Sequence, residues 1–123
     1  MRNSLAILVG IGLVGLGCGA SFPPPTQKLA DAESAHRSAR ELGADRKTDA
    51  QLNLKLAGDE IEAAKAQIKA GENRKAEFTL IRAKADAALA LAIAREHDAK
   101  TETGKTIEKV NDAQNAKANG AVK

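Results

Sequence analysis

Residues 59–92 read DEIEAAKAQIKAGENRKAEFTLIRAKADAALALA, and the spacing of their apolar residues decides the fold. Running up to Gly71, the positions Leu54, Ala57, Ile61, Ala64 and Ile68 recur at steps of 3, 4, 3 and 4 residues. That spacing lines side chains along one face of an α-helix. Beyond Gly71, the positions Ala76, Leu80, Ala83, Ala87, Ala90 and Ala94 repeat the pattern. Glycine adopts the left-handed conformation that ends a helix, and Asn73 is a residue type that caps the start of one. The stretch therefore predicts two helices joined by a tight turn and folded back on each other. Alanine at so many inward positions leaves little side chain to fill space, so the helices must approach closely.

Working outward, Thr48 and Gln51 form a Thr-x-x-Gln capping box at the start of the first of these helices. Gly58 interrupts it at a cost of about 1 kcal/mol relative to alanine, but lies off the apolar stripe, so the helix is kept whole. A further helix is expected from Thr26 to Leu42, where Leu29, Ala32, Ala35, Ala39 and Leu42 share one face and Gly43 supplies the stop. Phe78, Ile81, Leu89 and Ile93 are expected to widen the buried face. From Ala99 the pattern fades, with Ile107 and Val110 the only large apolar residues before residue 120. Residues 99–123 are read as a solvated polar tail, partly helical or disordered. The fold class is all-α: an antiparallel hairpin or three-helix arrangement with coiled-coil-like packing over residues 26–98.

Composition narrows the function. The chain has 123 residues with 19 Lys and Arg against 16 Asp and Glu, interleaved, and it holds two Phe and no Trp or Tyr. A dispersed excess of +3 with no aromatic stacking platform gives no reason to expect a nucleic-acid partner. The two histidines, His36 and His97, have no ligating neighbours at helical spacing and read as solvated surface residues. Asp59, Glu60 and Glu62 form an acidic cluster that needs no catalytic role. Arg37 with Glu41 and Arg82 with Asp86 read as ordinary i,i+4 pairs. No catalytic residues, metal ligands or cofactor can be assigned, because no serine, cysteine or glycine-rich loop stands in a reactive arrangement. The chain is not expected to be an enzyme.

The N-terminal segment carries an address. Arg2 is followed by an uncharged apolar run from Leu5 to Leu16 and then by small residues, the layout of a cleaved signal peptide over residues 1–17. The run is shorter than the roughly 20 residues of a membrane span. The chain's single cysteine, Cys18, follows immediately and has no partner for a disulfide. Leu16, Gly17 and Cys18 resemble the lipobox of bacterial lipoproteins, although the usual leucine position, three places before the cysteine, holds Gly15. The resemblance implies lipidation of Cys18, with palmitate-type chains, and more than one chain gives stable membrane attachment. Gly19 stands where such lipoproteins bear aspartate for inner-membrane retention, so the resemblance implies an outer-membrane location facing the periplasm. Residues 18–25, ending in Pro23, Pro24 and Pro25, then read as a stiff tether.

Two further resemblances concern the helices. Ala64, Gly71, Ala76, Leu80 and Ala83 are similar to part of a single tetratricopeptide repeat, which implies a close helix–helix crossing. The cysteine and proline tether, LADAESAHRSARELGA and the quoted stretch, with Ala70, Gly71 and Ala76 at its joint, resemble bacterial envelope lipoproteins of the domain of unknown function 4398 family. That resemblance implies a helical lipoprotein and carries no activity. The expected role is a lipid-anchored scaffold that presents a helical face to an envelope protein or to another copy of itself. Leu54, Ala57, Ile61, Ala64, Ile68, Ala76, Leu80, Ala83 and Ala87 are its partner-facing or helix-packing residues. The alternatives are a link to peptidoglycan through Lys123, which resembles the attachment lysine of the murein lipoprotein, and a secreted soluble factor with an unmodified Cys18.

Overall fold

A computed structural model describes residues 22–120. The proposed leader, Cys18, the first part of the tether and Lys123 lie outside the described residues. Three helices follow in order: α1 (Thr26–Glu41), α2 (Thr48–Lys69) and α3 (Asn73–Gly120), with a single 3-10 turn at Ala44–Arg46 between α1 and α2. Among the described residues the fold is all-α.

Contacts fix the directions. Gln67 meets Thr79, Glu60 meets Arg82 and Lys47 meets Asp98, so α2 and α3 run antiparallel. Lys28 pairs with Glu77 and Asp31 with Lys84, so α1 lies beside α3 and parallel to it, while His36 of α1 stacks on Gly58 of α2. The result is an up-down-up bundle over α1, α2 and the first half of α3.

Both turns use a left-handed glycine. Gly71 has φ +78°, its N–H donates to the Ile68 carbonyl at 3.0 Å, and the Glu72 N–H donates to the Gln67 carbonyl at 2.9 Å. This is a Schellman closure, which satisfies two carbonyls at the end of α2. Gly43, at φ +76°, ends α1 through a 2.8 Å bond from its N–H to the Arg40 carbonyl.

The helix starts differ from the sequence expectation. Thr48 sits inside the first turn, Lys47 holds the capping position without a side-chain bond, and Gln51 Nε2 donates instead to the Asp45 carbonyl at 2.8 Å. The capping box does not form, because the chain enters the helix one residue early. Asn73 is likewise already helical. Its Nδ2 donates to the Phe22 carbonyl at 2.7 Å, which ties the segment before α1 to the α2–α3 turn.

The core is narrow. All of its buried apolar residues except Leu54, Ile61 and Leu80 are alanines, and all but Ala57 and Ala87 fall in two clusters. One gathers Ala32, Ile61, Ala64, Ala76, Leu80 and Ala83, with Leu29 and Ile68 against it. The other gathers Ala39, Ala44, Ala50, Leu54, Ala90 and Ala94, with Leu42, Leu91 and Ile93 against it. Small side chains let the backbones come close, so each methyl is fully enclosed although it contributes little area.

The tail departs most from expectation. α3 does not end near Asp98 but continues to Gly120, with every residue from Arg95 to Gly120 exposed. Ala, Lys, Glu and Gln favour helix without tertiary support, and no proline interrupts them. Thr101, Thr103 and Thr106 each donate a hydroxyl to the carbonyl four residues back, which satisfies these side chains within the helix. Residues 99–120 form an arm about 30 Å long at the helical rise.

Candidate functional site

The structure places the inward stripe where helices meet. Leu54, Ala57, Ile61, Ala64, Ala76, Leu80, Ala83 and Ala87 are buried, and Ile68 is half-buried at the edge of the first cluster. These residues pack helix on helix and present nothing outward.

The large apolar residues that stay exposed lie elsewhere. Phe78, Ile81 and Leu89 on α3 are 59%, 49% and 48% exposed. They do not widen the buried face. Projected at about 100° per residue, they fall opposite Ala76, Ala83, Ala87 and Ala94. With the exposed Ala85 and Ala92 between and beyond them, they form an outward stripe that Ile107 and Val110 extend along the arm. α3 is thus apolar on two opposite faces, of which the described residues cover only the inner one. α2 adds a smaller outward pair, Leu52 and Leu56, one turn apart.

Polar contacts hold this frame. The Lys47 ammonium donates to the Leu42 carbonyl at 2.8 Å, the Ala94 carbonyl at 3.2 Å and Asp98 Oδ2 at 2.8 Å. It thereby fastens the α1–α2 connection to α3. The Lys47 ammonium also holds the Asp98 carboxyl below its usual range. Lys47 gave no signal in the sequence, since a lone lysine in a loop looks solvated. Arg82 is directed across to Glu60 of α2 rather than along its own helix to Asp86. No Arg37–Glu41 ion pair forms among the described residues. Thr79 Oγ1 donates to Gln67 Oε1 at 3.0 Å, a second tie between α2 and α3.

A cleft of about 550 Å³ lies between α1 and α2 and is lined mainly by charged residues, Glu33, Arg37, Arg40, Glu62 and Lys65 among them. Lys65 bridges Glu33 and Glu62 at 2.9 Å each, and hydrogen bonds to the two carboxylates raise its pKa. His36 reaches into this cleft. Burial lowers its pKa below the usual 6.5, Arg40 adds to that shift, and a hydrogen bond to the Leu54 backbone opposes it. His97 stands at the far end of the bundle, its Nδ1 3.9 Å from Asp98. Among the described residues no three metal-ligating side chains converge, and no helix is long and apolar enough to cross a membrane.

No curated protein and no solved structure matches the chain. A family model does, over residues 27–106, which takes in the whole bundle and the first part of the arm. The chain belongs to the family described as Domain of unknown function (DUF4398).

Proposed function

We propose that the protein is a non-enzymatic scaffold of the bacterial envelope, anchored by lipid on Cys18 in the outer membrane and holding a protein partner against the outward face of α3. The observation that carries this role is the second apolar face of α3. Large apolar side chains left exposed in a row, next to a core built almost wholly of alanine, are a costly arrangement for a protein with no partner. The anchor is supported by the sequence layout alone: an uncharged run, small residues and the chain's single cysteine. No cofactor is needed beyond the covalent lipid.

The test is carried out in cells. Cys18→Ser should move the protein from the membrane to the soluble fraction, and a photocrosslinking residue at Ile81 should give a defined protein adduct. Unchanged membrane pelleting of Cys18→Ser would overturn the anchor. A photocrosslinker at Ile81 that yields no protein adduct would overturn docking on α3.

The projecting arm favours one alternative. It carries the chain about 30 Å beyond the bundle, a length that would extend a link to peptidoglycan through Lys123. Digested cell wall with no muropeptide on Lys123 would dispose of that link.

A further inference from the structure

We infer that the outward face of α3 is covered by the same face of a second copy, the two α3 helices packing antiparallel about a two-fold axis at Ala85. The inference rests on α3 being a docking element, but not on the lipid anchor.

The first support is the spacing. Along the outward face, Phe78, Ile81, Ala85, Leu89 and Ala92 are closed at the ends by Arg74 and Glu96, all exposed. The steps are 4, 3, 4, 4, 3 and 4 residues, the same in either direction. A two-fold axis perpendicular to a helix brings such a stripe into register with itself, because each position meets its mirror position in the other copy. Centred on Ala85, the axis sets Phe78 beside Ala92 of the second copy and Ile81 beside its Leu89. A large residue then faces a small one at the ends, two branched aliphatic residues meet further in, and two alanines allow close approach at the centre.

The second support is charge. The same axis sets Arg74 beside Glu96 of the second copy and Glu77 near its Arg95, where each arginine would share a carboxylate that already bonds a lysine of its own chain, Lys100 for Glu96 and Lys28 for Glu77. Arg74 and Arg95 form no ion pair within their own chain among the described residues. Lys84, which approaches its own symmetry mate, is already neutralised by Asp31 at 2.9 Å. A parallel arrangement would instead set Arg74 on Arg74 and Glu96 on Glu96. The charges therefore select the antiparallel direction, as flanking charges do in coiled coils.

The experiment uses the purified full-length chain carrying Cys18→Ser, so that any added cysteine is the only thiol. Sedimentation should give a dimer, and Ile81→Glu with Leu89→Glu should return it to a monomer of unchanged helicity. Arg74→Glu should weaken the dimer by about tenfold, two symmetry-related exposed pairs being lost, and Glu96→Arg in the same chain should restore it. Under mild oxidation Ala85→Cys should form a disulfide dimer, and Phe78→Cys should join Ala92→Cys in a mixture but not itself. A monomer for the parent chain, or Phe78→Cys joining itself, would overturn the inference. If the parent chain is a monomer yet Ile81 crosslinks to a different protein in cells, the second copy is ruled out while docking on α3 stands. If it is a monomer and Ile81 captures nothing, both fall.

Discussion

Replacing Gly58 by alanine probes the seat of α1 on α2 through one atom. Gly58 lies inside α2, where alanine is favoured over glycine by about 1 kcal/mol. Its added Cβ would stand 3.2 Å from His36 Nε2, with Cδ2 and Cε1 of the ring at 3.9 Å. The first distance is a few tenths of an ångström inside a relaxed contact, so the imidazole must shift to admit the methyl. Crowding of that kind costs about 1 kcal/mol. Gain and loss are alike in size, so Gly58→Ala alone should change stability by less than about 0.5 kcal/mol. In a His36→Ala background nothing opposes the methyl, and the same substitution should stabilise by about 1 kcal/mol. Urea unfolding of the four proteins, followed by circular dichroism, yields the coupling, expected near 1 kcal/mol. An equal gain from Gly58→Ala in both backgrounds would refute the ring's placement over the glycine.

Ala83→Leu should destabilise the bundle by about 1–3 kcal/mol through overpacking, whereas Ala85→Leu, on the outward face, should leave thermal unfolding of the monomer almost unchanged. Lys47→Met should cost about 1–3 kcal/mol in urea unfolding, because it strips a part-buried donor from two carbonyls and Asp98. With the His36 pKa lowered on folding, the unfolded chain binds the proton more readily, so the urea midpoint should fall as pH drops through 6.5. His36→Gln should remove that step. Amide exchange should be much faster over residues 101–120 than over 76–94, since a lone solvated helix opens by fraying.

The inner architecture was legible because its signals are local. The 3,4 spacing of Leu54 to Ile68 and of Ala76 to Ala94, with Gly43 and Gly71 between helices, is fixed by helical geometry and by the backbone freedom of glycine. What escaped depends on where the rest of the chain sits. Thr48 and Asn73 are good caps by type, but the chain's path into each helix places both one position inside it. Arg82 has an acidic neighbour within its own helix and a better-placed one across the bundle in Glu60. Phe78, Ile81 and Leu89 look like core in a list of apolar residues. Only the burial of the opposite face of α3 shows that they lie outside. The length of the arm escaped for another reason: its polar composition signals solvent exposure, which left a partly helical tail and a disordered one both open.

The central claim, a helical bundle held at a membrane by its own cysteine, is tested most directly by intact mass spectrometry of the protein isolated from its native envelope. The account predicts a chain beginning at Cys18, with its leader removed and its mass raised by a thioether-linked diacylglyceryl group and an amide-linked acyl chain. A mature chain with an unmodified thiol at Cys18, or one still joined to residues 1–17, would contradict it.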